Sequence, residues 1–262
     1  MSDTSPVLVT VDGAVGIVEL ARPDKFNCLS LAVHRAIGAA LDRFEAPDAG
    51  VRTVLLRAQG RHFCTGADLD EVTALREDRE ALARFIGFGH EVLRRLEASP
   101  LPVVAACQGL SLAGGLELML ACDVVFAARD SRFGDQHAQF GLVPGWGGSQ
   151  RLPRVVGVRR ALDLFYSARW LDAQTALDWG LVNHVCEPDA LAGAALEYCR
   201  VLAGRSRTGI ATMKHLARDG LETSLAEGLA LEARIAPDAL LEPDVSEGLD
   251  AFRARRTPKF AG

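Results

Sequence analysis

A chain of 262 residues with 49% hydrophobic and 24% charged residues is long enough for one large globular domain, or a main domain with an appendage. Its formal net charge of −5 gives no electrostatic footprint for nucleic acid or an anionic membrane, and no apolar run reaches the length of a membrane span. The start, MSDTSPVLVT, lacks a charged-then-apolar signal, so a cytoplasmic location is expected. Six cysteines stand without a C-x-x-C pair and six histidines without H-E-x-x-H spacing, so reduced thiols and no metal site are expected.

Val7 to Val11 and Gly16 to Leu20 flank Asp12-Gly13, a hairpin signal, so the chain opens with two antiparallel strands. Arg22-Pro23-Asp24-Lys25-Phe26-Asn27 is a loop with two cations. Ser30 is a candidate N-cap for a helix through about Phe44, ended by Pro47-Asp48. Thr53 to Leu56 reads as a buried strand. The passage from Gln59 to Leu69 is a strand-to-loop segment in which the N–H groups of Gly66, Ala67 and Asp68 fall at a turn, where they can act as donors. Helical periodicity fills Asp78 to Glu97 and ends at Ser99-Pro100-Leu101-Pro102.

The stretch from Val103 to Gly148 carries most of the candidate chemistry. Val103 to Cys107 is an apolar run of strand length. Gly114-Gly115 then opens a run of good helix formers, and the first N–H groups of a helix have no internal partner, so they can meet an oxygen gaining negative charge. Glu117 lies one turn further on the same face. Asp123 to Ala127 reads as a second buried strand, and Gly134 to Gly148 as a long irregular loop of the kind that carries function. Helices are expected over Gly157 to Ser167 and Asp172 to Trp179, then a strand from Leu181 to Cys186, and helical pattern from Asp189 onward. Interleaved strands and helices followed by a helical tail argue for α/β layers with a helical C-terminal part. There is no G-x-x-x-x-G-K-[ST] phosphate loop, no G-x-S-x-G nucleophile elbow and no dinucleotide fingerprint.

The segments GRHFCTGADLDE, QGLSLAGGLELMLACDVVFA and FGxxxxxxGLVPGWGGSQRLPRVVG, with the later DAQTALDWGLVNHV and RRTPKF, resemble the crotonase superfamily, the enoyl-CoA hydratase/isomerase family, over roughly residues 7 to 260. The resemblance implies a spiral of ββα units in residues 1–195 with the acyl-CoA site, and a helical subdomain in residues 196–262 that builds homotrimers or homohexamers. It implies that the backbone N–H groups of Ala67 and Gly114 polarise a thioester carbonyl. Glu117 matches the first of two glutamates common in the family's hydratases; the second position holds His137, and Asp135, two residues earlier, would orient or charge-stabilise its ring if the segment is extended. Arg22, Lys25 and Lys259 are the candidate cations for the CoA phosphates, the last reaching a neighbouring subunit's ligand. Thr65, Ala67, Asp68 and Leu69 are candidates along the CoA path, with backbone groups near Thr65 holding the adenine. The expected reaction is hydration of a 2-enoyl-CoA with no cofactor beyond the coenzyme A of the substrate. The alternatives are isomerisation, hydrolysis or decarboxylation of an acyl-CoA, or an inactive acyl-CoA binding protein.

Overall fold

The computed structural model describes residues 5–261. Alternating and continuous apolar runs in the first half of the chain form a layered sheet. Strands β1 (Val7–Asp12) and β2 (Val15–Leu20) make the expected hairpin, although its two-residue turn is Gly13-Ala14, one position later than the Asp12-Gly13 signal, with Gly13 at φ +60. Ser30 caps α1 (Leu31–Glu45) by accepting the Val33 N–H at 3.2 Å, and Val33, Ile37, Leu41 and Phe44 line its buried face at helical spacing. Next come β3 (Thr53–Ala58), the short α2 (Leu69–Leu75) and the long α3 (Arg79–Ala98), which Asp78 caps through the N–H groups of Glu80 and Ala81.

The central stretch supplies β4 (Val103–Cys107), β5 (Leu110–Leu112), α4 (Gly114–Leu120), β6 (Val124–Ala128) and β7 (Arg132–Gly134). After the loop come α5 (Gly148–Val156), α6 (Val158–Ser167), β8 (Leu171–Asp172), α7 (Ala173–Asp178), β9 (His184–Cys186) and α8 (Leu191–Ala203). The chain ends with α9 (Arg207–Leu221), α10 (Leu225–Leu240) and α11 (Pro243–Arg253). The main sheet has the order β1-β2-β3-β4-β6-β9 and is parallel from β2 onward; β5, β7 and β8 form a second, smaller sheet.

The main sheet is buried on both faces, and period two in β3 and β4 shows how. Val54, Leu56, Val103, Ala105 and Cys107 join the core under α1 and α3, while Leu55, Val104 and Ala106 face Leu191, Ala195 and Cys199 of α8. A division of the chain between residues 195 and 196 therefore cuts through one helix: Ala195 and Cys199 pack on the same sheet face. Helices α9 and α10 differ in kind, since neither contains a buried residue, whereas α11 buries Asp244 and Ala251.

Candidate active site

Two backbone amides and a carboxylate meet at the start of α4. Ala67 is tied to the segment just before α1 by a bridge to Leu29, in which the Leu29 N–H donates to Gly66 O at 2.8 Å and the Asp68 N–H to Leu29 O at 2.9 Å. The Ala67 N–H is left between these two bonds, and it finds no acceptor among the described residues, nor does that of Gly114. The two amides are neighbours, since a Cβ built on Gly114 would lie 3.2 Å from Ala67 N. Two backbone conformations aim them. Gly66 sits at φ +119, where L side chains are strained, and Ala113 takes φ 47, ψ −118, a conformation rare for a residue with a Cβ. Strain of this kind concentrates at functional sites, and no feature of an alanine in the sequence announces it.

Glu117 is 1% exposed on the same short helix. Its Oε1 accepts the N–H of Trp146 at 2.8 Å and of Gly148 at 2.7 Å, so one carboxylate oxygen is fully occupied by the far end of the long loop. Gly148 allows this close approach: a Cβ there would press on Glu117 Cγ at 3.1 Å and Oε1 at 3.2 Å, so the carboxylate would have to shift by a few tenths of an ångström. Oε2 is left facing His137 Nε2 at 4.0 Å. Burial raises the Glu117 pKa; the two N–H bonds and the nearby imidazole oppose that rise without cancelling it.

His137 opens a 3-10 helix, His137–Phe140, inside the segment that reads as irregular loop. Asp135 accepts from its backbone N–H at 3.2 Å and contacts ring Nδ1 with both carboxylate oxygens at 3.0 Å. The expected Asp135–His137 pairing is present, but the route differs: Gln136 lies at φ −105, ψ 5, so the segment turns rather than extends, and a turn brings the carboxylate under the ring. With Nδ1–H donated to Asp135, Nε2 is the ring atom directed at Glu117. Burial lowers the His137 pKa most strongly as a single effect, yet the hydrogen bond and charge of Asp135, aided by Glu117, outweigh it and leave the pKa raised.

Trp146 braces this arrangement from below. Its ring is 2% exposed, lies against the Cα of Gly114 and of Gly89, and packs edge-on with His34 and Phe85 at centroid distances of 4.7 and 5.5 Å. His34 is fully buried, and burial pushes its pKa down to about 4, so it is a neutral member of this wall. The amides of Trp146 and Gly148 escape sequence reasoning because a backbone donor has no side-chain signature; the only cue is the glycine density of P-G-W-G-G.

Among the candidate cations, Arg22 pairs with Asp68 at 2.8 Å and also donates to Cys28 O at 3.0 Å, while Lys25 pairs with Asp70 at 2.9 Å. Thr65 N donates to Phe26 O at 3.2 Å, and Leu69 is half exposed at the start of α2. Arg22, Lys25, Thr65, Asp68 and Leu69 thus gather on the Ala67 side of the amide pair. Lys259 is exposed near the C-terminus, its backbone N–H donating to Glu247 at 2.6 Å, and no hydrogen bond or ion pair among the described residues joins its side chain to this group.

Two adjacent strands-to-helix turns that present paired amides beside a buried carboxylate define the class: this is a crotonase-fold enzyme. The family description "Enoyl-CoA hydratase/isomerase" matches residues 10–262. A probable enoyl-CoA hydratase of Rhizobium meliloti is 36% identical over 254 residues, 97% of each chain. A mitochondrial methylglutaconyl-CoA hydratase of Homo sapiens is 34% identical over 90% of this chain and 70% of its own. The crystal structure of an enoyl-CoA hydratase from Bacillus anthracis superposes with TM-score 0.92 at 33% identity, covering 97% of this chain and 98% of that one. The chain belongs to the enoyl-CoA hydratase/isomerase family.

Proposed function

We propose that the protein adds water to a 2-enoyl-CoA to give a 3-hydroxyacyl-CoA, with Glu117 as base and His137 as acid. The observation that carries this reading is the facing pair of Glu117 Oε2 and His137 Nε2 at 4.0 Å, each the one free atom of a group whose other atom is already bonded. That separation is too long for a direct hydrogen bond and near the span of one bridging water, about 4–5 Å. Asp135 favours the protonated imidazole, and a carboxylate held by two N–H groups stays competent to accept a proton. In the reaction one water proton goes to Glu117, the hydroxyl oxygen bonds to C3, and His137 gives a proton to C2. Glu117 then returns its proton to His137, and no net charge is left.

The thioester oxygen gains negative charge as C3 is attacked. The N–H groups of Ala67 and Gly114 would hold it, each donor contributing about 3–4 kcal/mol of transition-state stabilisation in a water-poor pocket. Arg22 and Lys25 are placed for the CoA phosphates, backbone near Thr65 for the adenine, and Asp68 and Leu69 for the adjoining path. Lys259 would serve a neighbouring subunit's ligand. Exposed Met213, Leu221, Leu225 and Leu229 on α9 and α10 support assembly as a homotrimer or homohexamer. Among the described residues no helix is long and apolar enough to cross a membrane, and we place the protein in the cytoplasm, acting on a substrate that carries coenzyme A and needing no further cofactor.

Incubation with crotonyl-CoA is the test, followed by loss of enoyl absorbance and by identification of the product. Accumulation of 3-hydroxybutyryl-CoA is expected. A protein that instead releases free CoA, or that shifts the double bond of a 3-enoyl-CoA while leaving crotonyl-CoA intact, performs one of the other reactions of this fold.

A further inference from the structure

The segment that holds Glu117 has little stiffness of its own, because Gly145, Gly147 and Gly148 surround Trp146. Its amides can only be aimed from outside. The guanidinium of Arg151 folds back over the start of α5 and donates from Nη1 to Trp146 O at 2.6 Å. Gly147, at φ +99, leaves the space the guanidinium fills; a Cβ there would collide with Nη1. The other two guanidinium nitrogens grip Glu97 of α3, Nε on Oε1 at 2.6 Å and Nη2 on Oε2 at 2.5 Å. Glu97 also receives Arg218 of α9 at 3.5 Å, and Arg218 with Lys214 is fixed by Asp123, at 2.7 Å each. Asp123 in turn accepts the Val103 N–H of β4 at 2.8 Å. The chain of charges therefore runs from α9 and the central sheet to the residue whose N–H holds the base.

We propose that Arg151 is a positioning residue for Glu117: clamped by Glu97 and anchored through Arg218 on α9, it fixes the Trp146–Gly148 backbone so that two N–H groups point at one carboxylate oxygen. Arg151 touches no reacting atom. The kinetic part of this inference rests on the hydratase reading, whereas the geometric part does not. A planar, five-donor guanidinium is required, since an ammonium cannot reach both Glu97 oxygens and the Trp146 carbonyl together. A plain ion pair joining α5 to α3 would affect stability alone, and the state of Glu117 separates the two.

The groups facing Glu117 are the N–H groups of Trp146 and Gly148 from the loop and α5, and His137 with Asp135 from the segment after β7. The two N–H bonds hold its proton affinity down, so loosening them raises its titration midpoint. The experiment is carbon-13 NMR titration of glutamate-labelled wild-type and Arg151→Lys proteins, with the Glu117 signal assigned by Glu117→Gln, alongside steady-state kinetics on crotonyl-CoA. Arg151→Lys is expected to move the Glu117 midpoint upward and to lower kcat by about 10- to 100-fold, the scale of a small misplacement of a catalytic group, with KM within about twofold. Should Arg151→Lys fail to fold, Glu97→Gln removes one charge of the clamp and carries the same expectation. A folded variant with the wild-type Glu117 midpoint overturns the proposal whatever its turnover. Absence of turnover in the wild-type protein rejects the hydratase reading instead, and the titration still decides the clamp.

Discussion

The two halves of the site are made of different material. On one side the amides of Ala67 and Gly114 are aimed by the Leu29 bridge, by Gly66 at φ +119 and by Ala113 at φ 47, all properties of the backbone. On the other side Glu117, His137 and Asp135 are side chains held by N–H donors and by one another. The first half carries no titratable group and should act alike at every pH where the fold persists. The second half changes state with each proton. Under the proposed roles, pH dependence belongs to the second half alone, and perturbations of the two halves should leave different signatures.

The largest effect is expected from Glu117→Gln, which keeps both backbone N–H groups near a side-chain oxygen but removes the proposed base. Turnover should fall by about 10²–10⁴-fold with thioester binding little changed, and the acidic limb of the rate profile should vanish; steady-state kinetics over a pH series measure this. On the backbone side, replacing the Gly114 N–H by an ester oxygen deletes one donor without adding atoms. A side chain at Gly114 is a poor probe, because its Cβ would lie 2.8 Å from the Trp146 ring. The ester is expected to cost about 10²–10³-fold in kcat while the shape of the pH profile stays that of the parent. A profile that moved would mean the halves are not separable. Smaller again, Asp135→Asn removes the charge that favours the imidazolium, so the alkaline limb should move to lower pH and turnover at neutral pH should fall by up to about a hundredfold; the same pH series checks it.

Legibility in the sequence follows the same line between backbone and side chain. The strands Val103–Cys107 and Val124–Ala128 could be read because burial on both faces demands unbroken apolar runs. The second sheet could not, since Leu110–Leu112, Arg132–Gly134 and Leu171–Asp172 are too short to show any period. Helix Gly148–Val156 was hidden by its glycine start and by Pro153 within it. In the site, Gly114 and Glu117 stand out as a helix start with a carboxylate one turn on, whereas the strain at Ala113 and the donors of Trp146 and Gly148 depend on tertiary contacts. The Asp135–His137 contact was visible as spacing, but its turn conformation was not. The resemblance implied that the helical tail builds oligomers, but which of its apolar residues one chain leaves exposed on α9 and α10 emerged only from the fold.

The central claim is that His137 supplies a proton from an imidazolium that Asp135 sustains while Glu117 accepts one. Both pKa values are raised, so the wild-type enzyme should lose activity at low pH as Glu117 is protonated, and at high pH as His137 loses its proton, with the active window displaced upward from those of a free carboxylate and a free imidazole. The direct measurement is the pH dependence of kcat/KM on crotonyl-CoA for wild-type and His137→Ala proteins. Loss of the alkaline limb together with most of the rate in His137→Ala is the expected result. A His137→Ala enzyme that hydrates at the wild-type rate with both limbs in place would contradict the account.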